Sequence, residues 1–122
     1  IPDSGWTYFL PRMIGPARAM GLALVGAPLS AEQAAEWGLI WDVVDDEALR
    51  DTTTAVARKL ASGPTGGFSK TKQAINASGG NSLDAQLDLE RDLQRVAGYS
   101  DDYAEGVAAF LAKRTPQFRG LR

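Results

Sequence analysis

Only one stretch of this chain reads as a β-strand: Leu39 to Val44 (LIWDVV), which follows a glycine and is rich in β-branched and aromatic residues. A lone strand cannot pair its own edges, so it must find hydrogen-bonding partners outside itself. Helical signals dominate the rest of the chain, and 122 residues are enough for one domain but not for two. Helices plus one orphan strand describe the covering layer of an α/β protein whose sheet lies elsewhere. Either the strand pairs with another chain, or the first part of the fold is not in this sequence.

The helical reading rests on spacing and punctuation. Trp6, Phe9, Leu10 and Met13 stand at i, i+3, i+4 and i+7 within Ser4 to Ile14, and Pro11 is expected to break or kink that helix. Pro16 suits the first position of a second helix over 17–25, which is small and apolar nearly all round and so expected to be buried. Ser30 and Gln33 form a capping box for a short third helix, and Gly38 fits its left-handed stop. Asp45 or Asp46 caps a helix to about Ala61, and Ser62 to Gly67, with three Gly and one Pro, reads as a loop. Thr71 to Ala77 is expected to be helical. Asn81 or Ser82 caps the longest helix, to about Ala97, and Ser100 with two aspartates opens a last helix from Tyr103 to Lys113. Pro116 ends it, and the tail QFRGLR is expected to be mobile.

Composition narrows the chemistry. Thirteen Lys plus Arg stand against 15 Asp plus Glu, a net charge of -2, so no positive field exists to hold a nucleic-acid backbone. The absence of Cys and His removes disulfides, thiolate and imidazole metal sites, and any Ser-His-Asp triad. Proton transfer near neutral pH then falls to carboxylates, Lys or Tyr. The richest apolar run, Gly21 to Leu29, is interrupted by Gly26 and Pro28 and is far shorter than the roughly 20 residues a membrane span needs. The first residue is Ile, and no signal-peptide pattern precedes the helices; this reads as a processed or truncated start in a cytoplasmic protein.

The order of motifs resembles one family along essentially the whole chain. IPDSGWTYFLPRMIGPARAMGLALVGAPLSAEQAAEWGLIWDVVDD, then GPTGGFSKTKQAIN, then LDAQLDLERDLQRVAGYSDDYAEGVAAFLAKRTPQF are similar to the C-terminal half of the enoyl-CoA hydratase/isomerase (crotonase) family. AEWGLIWDVVDD and LDAQLDLERDLQR most resemble its isomerase branch from phenylacetate degradation. The resemblance implies an α/β fold with a ββα-spiral core. Residues 1–45 would end that core and carry the active-site helix, and 46–122 would form a helical capping and trimerisation region. It also implies acyl-CoA thioester chemistry: an oxyanion hole stabilises a thioester enolate and carboxylates move protons. The oxyanion donors, and the glutamates of true hydratases, would lie upstream of Ile1. Implied partners are an acyl-CoA, the N-terminal half of the same fold, and further copies in a homotrimer or hexamer, with no cofactor beyond the CoA of the substrate.

Four residues become site candidates. Asp3, in IPDSG, stands where the resemblance implies a proton-shuttling acid in isomerase-like members and Gly in many hydratases; read from this chain alone, it is a helix N-cap. Capping favours the ionised form, whereas a base needs burial, which Ile1, Pro2 and Trp6 are placed to supply. Trp6 departs from the family's Asp-x-Gly-Gly and either narrows the acyl pocket or fills core. Phe110 and Lys113, three residues apart on the last helix, match a ring and a cation that the resemblance places at the nucleotide end of CoA. Their plainer readings are a core position on the Tyr103, Val107, Leu111 stripe and a cation favoured at a helix C-terminus. The Gly-rich run at 62–67 lacks a P-loop ending, Lys70 and Lys72 read as a solvated helix face, and Glu90 and Glu105 as surface or interface residues.

Overall fold

The computed structural model describes residues 1–120, and among these the chain forms helices without a strand: α1 Trp6–Ile14, α2 Pro16–Val25, α3 Ala31–Glu36, α4 Asp46–Ala61, α5 Thr65–Ser78, α6 Leu83–Gly98 and α7 Asp101–Leu111. It divides into two compact units, residues 1–50 and the residues from 51 onward.

In the first unit the entry to α1 is a turn rather than a side-chain cap. The Trp6 amide donates to the Asp3 carbonyl at 2.9 Å, and Ser4 and Gly5 between them have φ of 53° and 83°. Two successive left-handed residues make a type I′ turn. Gly5 therefore occupies the N-cap without a side-chain hydrogen bond, and the capping role expected of Asp3 is not realised. Pro11 also departs from expectation. It sits inside α1 without ending it. Pro11 lacks an N–H to donate to Thr7, but Leu10 and Ile14 on either side of it are buried with Ala19, and packing outweighs one lost hydrogen bond. Trp6, Leu22, Trp37 and Leu39 pack around that cluster.

Two further expectations in this unit are corrected. Of α2 only Ala19 is buried, with Leu22 half-buried beside it, while Leu24 and Val25 are 83% and 77% exposed. Residues 39–44 form no strand. The Leu39 and Ile40 amides both donate to the Ala34 carbonyl, at 2.9 and 3.4 Å, and Gly38 donates to Ala35. The start of the run is thus used to close α3 in a Schellman motif, with Gly38 left-handed at φ 77°. Among the described residues the rest finds no neighbouring edge to pair with, and Trp41 is 86% exposed. The Ser30 cap is as expected, its hydroxyl accepting the Gln33 amide at 3.2 Å.

In the second unit α5 starts earlier than its glycines suggest. Thr65, Gly66 and Gly67, expected in a loop, form its first turn, and the Phe68 amide donates to Pro64 at 3.1 Å. The glycines serve close approach here: a Cβ on Gly63 would lie 2.6 Å from the Phe68 ring, and Gly66 is buried. α5 packs against α6, tied by the Gln86 side-chain amide donating to the Ala74 carbonyl at 3.1 Å. Ser82 and Ser100 cap α6 and α7 through their hydroxyls, as expected. α7 begins two residues earlier and ends two earlier than its apolar spacing implies, so Lys113 lies beyond the helix.

The tail, expected to be mobile, is instead fastened back along α7 as far as it is described. Buried Asp102 accepts the amides of Arg119 and Gly120 at 2.8 and 3.1 Å, and Glu105 accepts that of Gln117 at 2.7 Å. Leu121 and Arg122, the end of QFRGLR, lie outside the described residues.

Candidate functional site

The sequence-predicted site residues fall in both units. Asp3 and Trp6 belong to the first, where the turn that opens α1 joins them through their backbones. The Asp3 carboxylate is exposed, with no hydrogen-bond partner among the described residues; Ile1 is fully exposed and does not bury it. Trp6 is half-buried against Leu10, Ile14 and Ala19, which puts its ring in the small core of this unit.

Phe110 and Lys113 belong to the second unit, and one premise for pairing them does not hold. They share no helix face, because α7 ends at Leu111 and Lys113 follows it in the left-handed region at φ 51°. What links them is a hydrogen bond, the Lys113 amide donating to the Phe110 carbonyl at 3.2 Å. Arg114 completes the motif by donating to Ala109 at 3.0 Å, so Lys113 occupies the glycine position of a Schellman stop. Phe110 is 82% exposed and is not core of this chain.

Phe110 lines a cleft of about 960 Å³ formed within this unit by the start of α5, α7 and the returning tail. Gly66, Gly67 and Gly106 line it without side chains, and Val107, Phe110 and Phe118 give it apolar walls. A Cβ on Gly106 would already touch the Phe118 ring at 3.6 Å. Lys70, expected on a solvated face, is half-buried at this cleft, with its ammonium 3.4 Å from the Gly66 carbonyl; Lys72 is exposed as expected. The cleft therefore joins an aromatic ring to cations, although these are Lys70 and Arg119 rather than Lys113.

Sequence reasoning missed the role of the two acids on α7. Asp102 looked like a helix-start charge, yet it clamps the tail. Glu105 looked like a surface residue. Both its oxygens are gripped by Arg114, Nη1 to Oε1 at 2.6 Å and Nη2 to Oε2 at 2.9 Å. The Arg114 fork, and next the Gln117 amide, hold its carboxyl down to about 2. Glu90, by contrast, is exposed and accepts the Gln86 side-chain amide at 3.4 Å.

Among the described residues no helix is long and apolar enough to cross a membrane. The family model for enoyl-CoA hydratase/isomerase matches residues 1–121, and the chain belongs to that family. It is 66% identical to the 1,2-epoxyphenylacetyl-CoA isomerase of Escherichia coli strain K12, over 98% of this chain and 46% of that protein. It is 34% identical to the 2,3-dehydroadipyl-CoA hydratase of the same organism, over 98% of this chain and 47% of that protein. In structure it superposes on an enoyl-CoA hydratase from Bacillus anthracis with a TM-score of 0.92 and 35% identity, covering 99% of this chain and 47% of that one. The chain is thus a mostly helical part of a crotonase fold, and it spans about half the length of the relatives it matches.

Proposed function

We propose that this chain is the C-terminal half of an acyl-CoA isomerase. The observation that carries the reading is its 66% identity to a 1,2-epoxyphenylacetyl-CoA isomerase. Residues 1–45 end the spiral core and 46–122 cap it and build a homotrimer or hexamer, in the cytoplasm. The N-terminal half supplies the oxyanion hole that holds the thioester enolate, and the exposed apolar faces of α2 and α7 support a chain that is covered by further polypeptide.

In this reading Asp3 removes a proton from the acyl group and returns it elsewhere, so atoms are conserved. Its carboxylate, engaged in no cap, is available for that exchange. Trp6 backs the acyl side by holding the α1 entry against the core. Phe110 presents a ring to the adenine and Lys113 a cation to a phosphate, and no cofactor is needed beyond the CoA of the substrate. The alternative, hydration, is favoured by the similarity to a hydratase. A helical oligomerisation fragment without chemistry is the remaining reading.

Product mass separates them. The chain, assembled with the N-terminal half of its fold, is incubated with an aryl-CoA ring epoxide or an enoyl-CoA in ¹⁸O-water. Isomerisation leaves product mass equal to substrate mass; addition of labelled water identifies a hydratase, and no turnover of either substrate identifies the non-catalytic fragment.

A further inference from the structure

Lys113 is held in a backbone conformation that a lysine does not choose. At the stop of α3 the same motif places Gly38 in the left-handed region, where glycine carries no steric penalty; at the stop of α7 the residue is Lys113, at φ 51°. A side chain there crowds its own backbone, so the surrounding structure must fix it. The fixing contacts converge on one carboxylate. Glu105 takes both ends of the guanidinium of Arg114, the residue directly after Lys113, and its Oε1 also accepts the Gln117 amide at 2.7 Å. With Lys113 and Arg114 bonded back to Phe110 and Ala109, the chain is anchored on both sides of Lys113.

We propose that the Glu105–Arg114 pair is a positioning device that fixes Lys113 for the nucleotide end of CoA, an inference resting on the acyl-CoA reading above. A lysine stem has four rotatable carbons, and a rigid point of attachment limits the region its ammonium searches. The bidentate fork supplies that rigidity in a way a lone cation could not. It also keeps the Arg114 guanidinium engaged with Glu105. The pair itself touches no substrate.

The test keeps net charge constant. In the chain assembled with the N-terminal half of its fold, E105Q/R114Q removes the pair without altering the overall field. It should raise KM for the acyl-CoA about three- to tenfold with kcat unchanged, and leave turnover of the matching acyl-pantetheine ester, which lacks the nucleotide, within about twofold. Adding K113A to that variant should raise KM no further than K113A alone. Should the double variant fold poorly, Arg114→Lys keeps the charge but loses the fork, and should raise KM about two- to threefold for the CoA ester only. The proposal is overturned if K113A raises KM while the paired variants do not, if the effects of K113A and the pair multiply, or if the pantetheine ester loses as much as the CoA ester. If K113A itself leaves KM unchanged, the nucleotide-binding reading of Lys113 fails first.

Discussion

The Trp6 amide donates to the carbonyl of Asp3 at 2.9 Å, so the backbone of Asp3 closes the turn ahead of α1 and its carboxylate takes no part. Structural and chemical roles of this residue can therefore be separated. Asp3→Asn should alter stability by less than about 0.5 kcal/mol, since no cap is lost. In the assembled enzyme it should lower kcat by about two to four orders of magnitude if Asp3 moves the proton, with acyl-CoA binding little changed. Turnover within a few-fold of wild type would remove Asp3 from the mechanism.

Gly5 is the hinge of the same turn. Its φ is 83°, and a Cβ there would stand 3.0 Å from the Phe9 ring, which leaves no comfortable place for a side chain. Gly5→Ala should destabilise the first unit by about 1–2 kcal/mol, read as a lower denaturant midpoint. An unchanged midpoint would mean that the turn opens at little cost.

Much of this was legible in the sequence because it is local. Ser30, Ser82 and Ser100 announce three helix starts through hydroxyl caps, and Gly38 announces a stop. The errors lie where partners are distant or missing. LIWDVV has strand composition, but a strand is defined by its neighbour, and without one among the described residues only Leu39 and Ile40 find backbone partners, in closing α3. Pro11 has a strong local veto on helix that burial of Leu10 and Ile14 overrides. Glu105 and Arg114 are nine residues apart, a spacing that no helix-face rule connects, because Arg114 lies past the helix end and folds back. Of the site, the candidate residue types could be read, but the Schellman position of Lys113 and the half-burial of Lys70 at the cleft could not.

Trp41 reports on what covers the orphan run. At 86% exposure its emission should be that of a solvated indole in the isolated chain, and it should shift to the blue when the N-terminal half is added. Trp41→Phe should abolish most of that shift. A blue-shifted spectrum in the isolated chain, with a cooperative monomeric melt, would show that this chain covers its own faces.

Glu105 sets an acid limit on the fastened tail. Its carboxyl is held down to about 2, from an ordinary 4.5, first by the Arg114 fork and then by the Gln117 amide. A depressed carboxylate contributes stability that is fully present above the unfolded value and is lost as pH falls through the folded one. The tail contacts should thus persist through mild acid and weaken between about 4.5 and 2. The ¹³C shift of the Glu105 carboxyl should titrate near the lower limit, and a midpoint at the ordinary value would mean that the Arg114 contact is not formed in solution.

Lys113→Gly sets scaffold against site. Glycine removes the roughly 1–2 kcal/mol penalty of a left-handed side chain but costs about 0.5–1 kcal/mol in unfolded-chain entropy, so a net stabilisation of about 0.5–1 kcal/mol is expected. The variant also removes the ammonium. If that ammonium meets a CoA phosphate, KM for the acyl-CoA should rise while Tm rises with it, and kcat should hold because the contact is equal in ground and transition states. The KM difference from wild type should narrow with added salt, since an exposed cation and a phosphate are screened by it. A higher Tm with unchanged KM would leave Lys113 as a helix stop with no part in binding. A lower Tm would show that the stem of Lys113, rather than its charge, holds the end of α7.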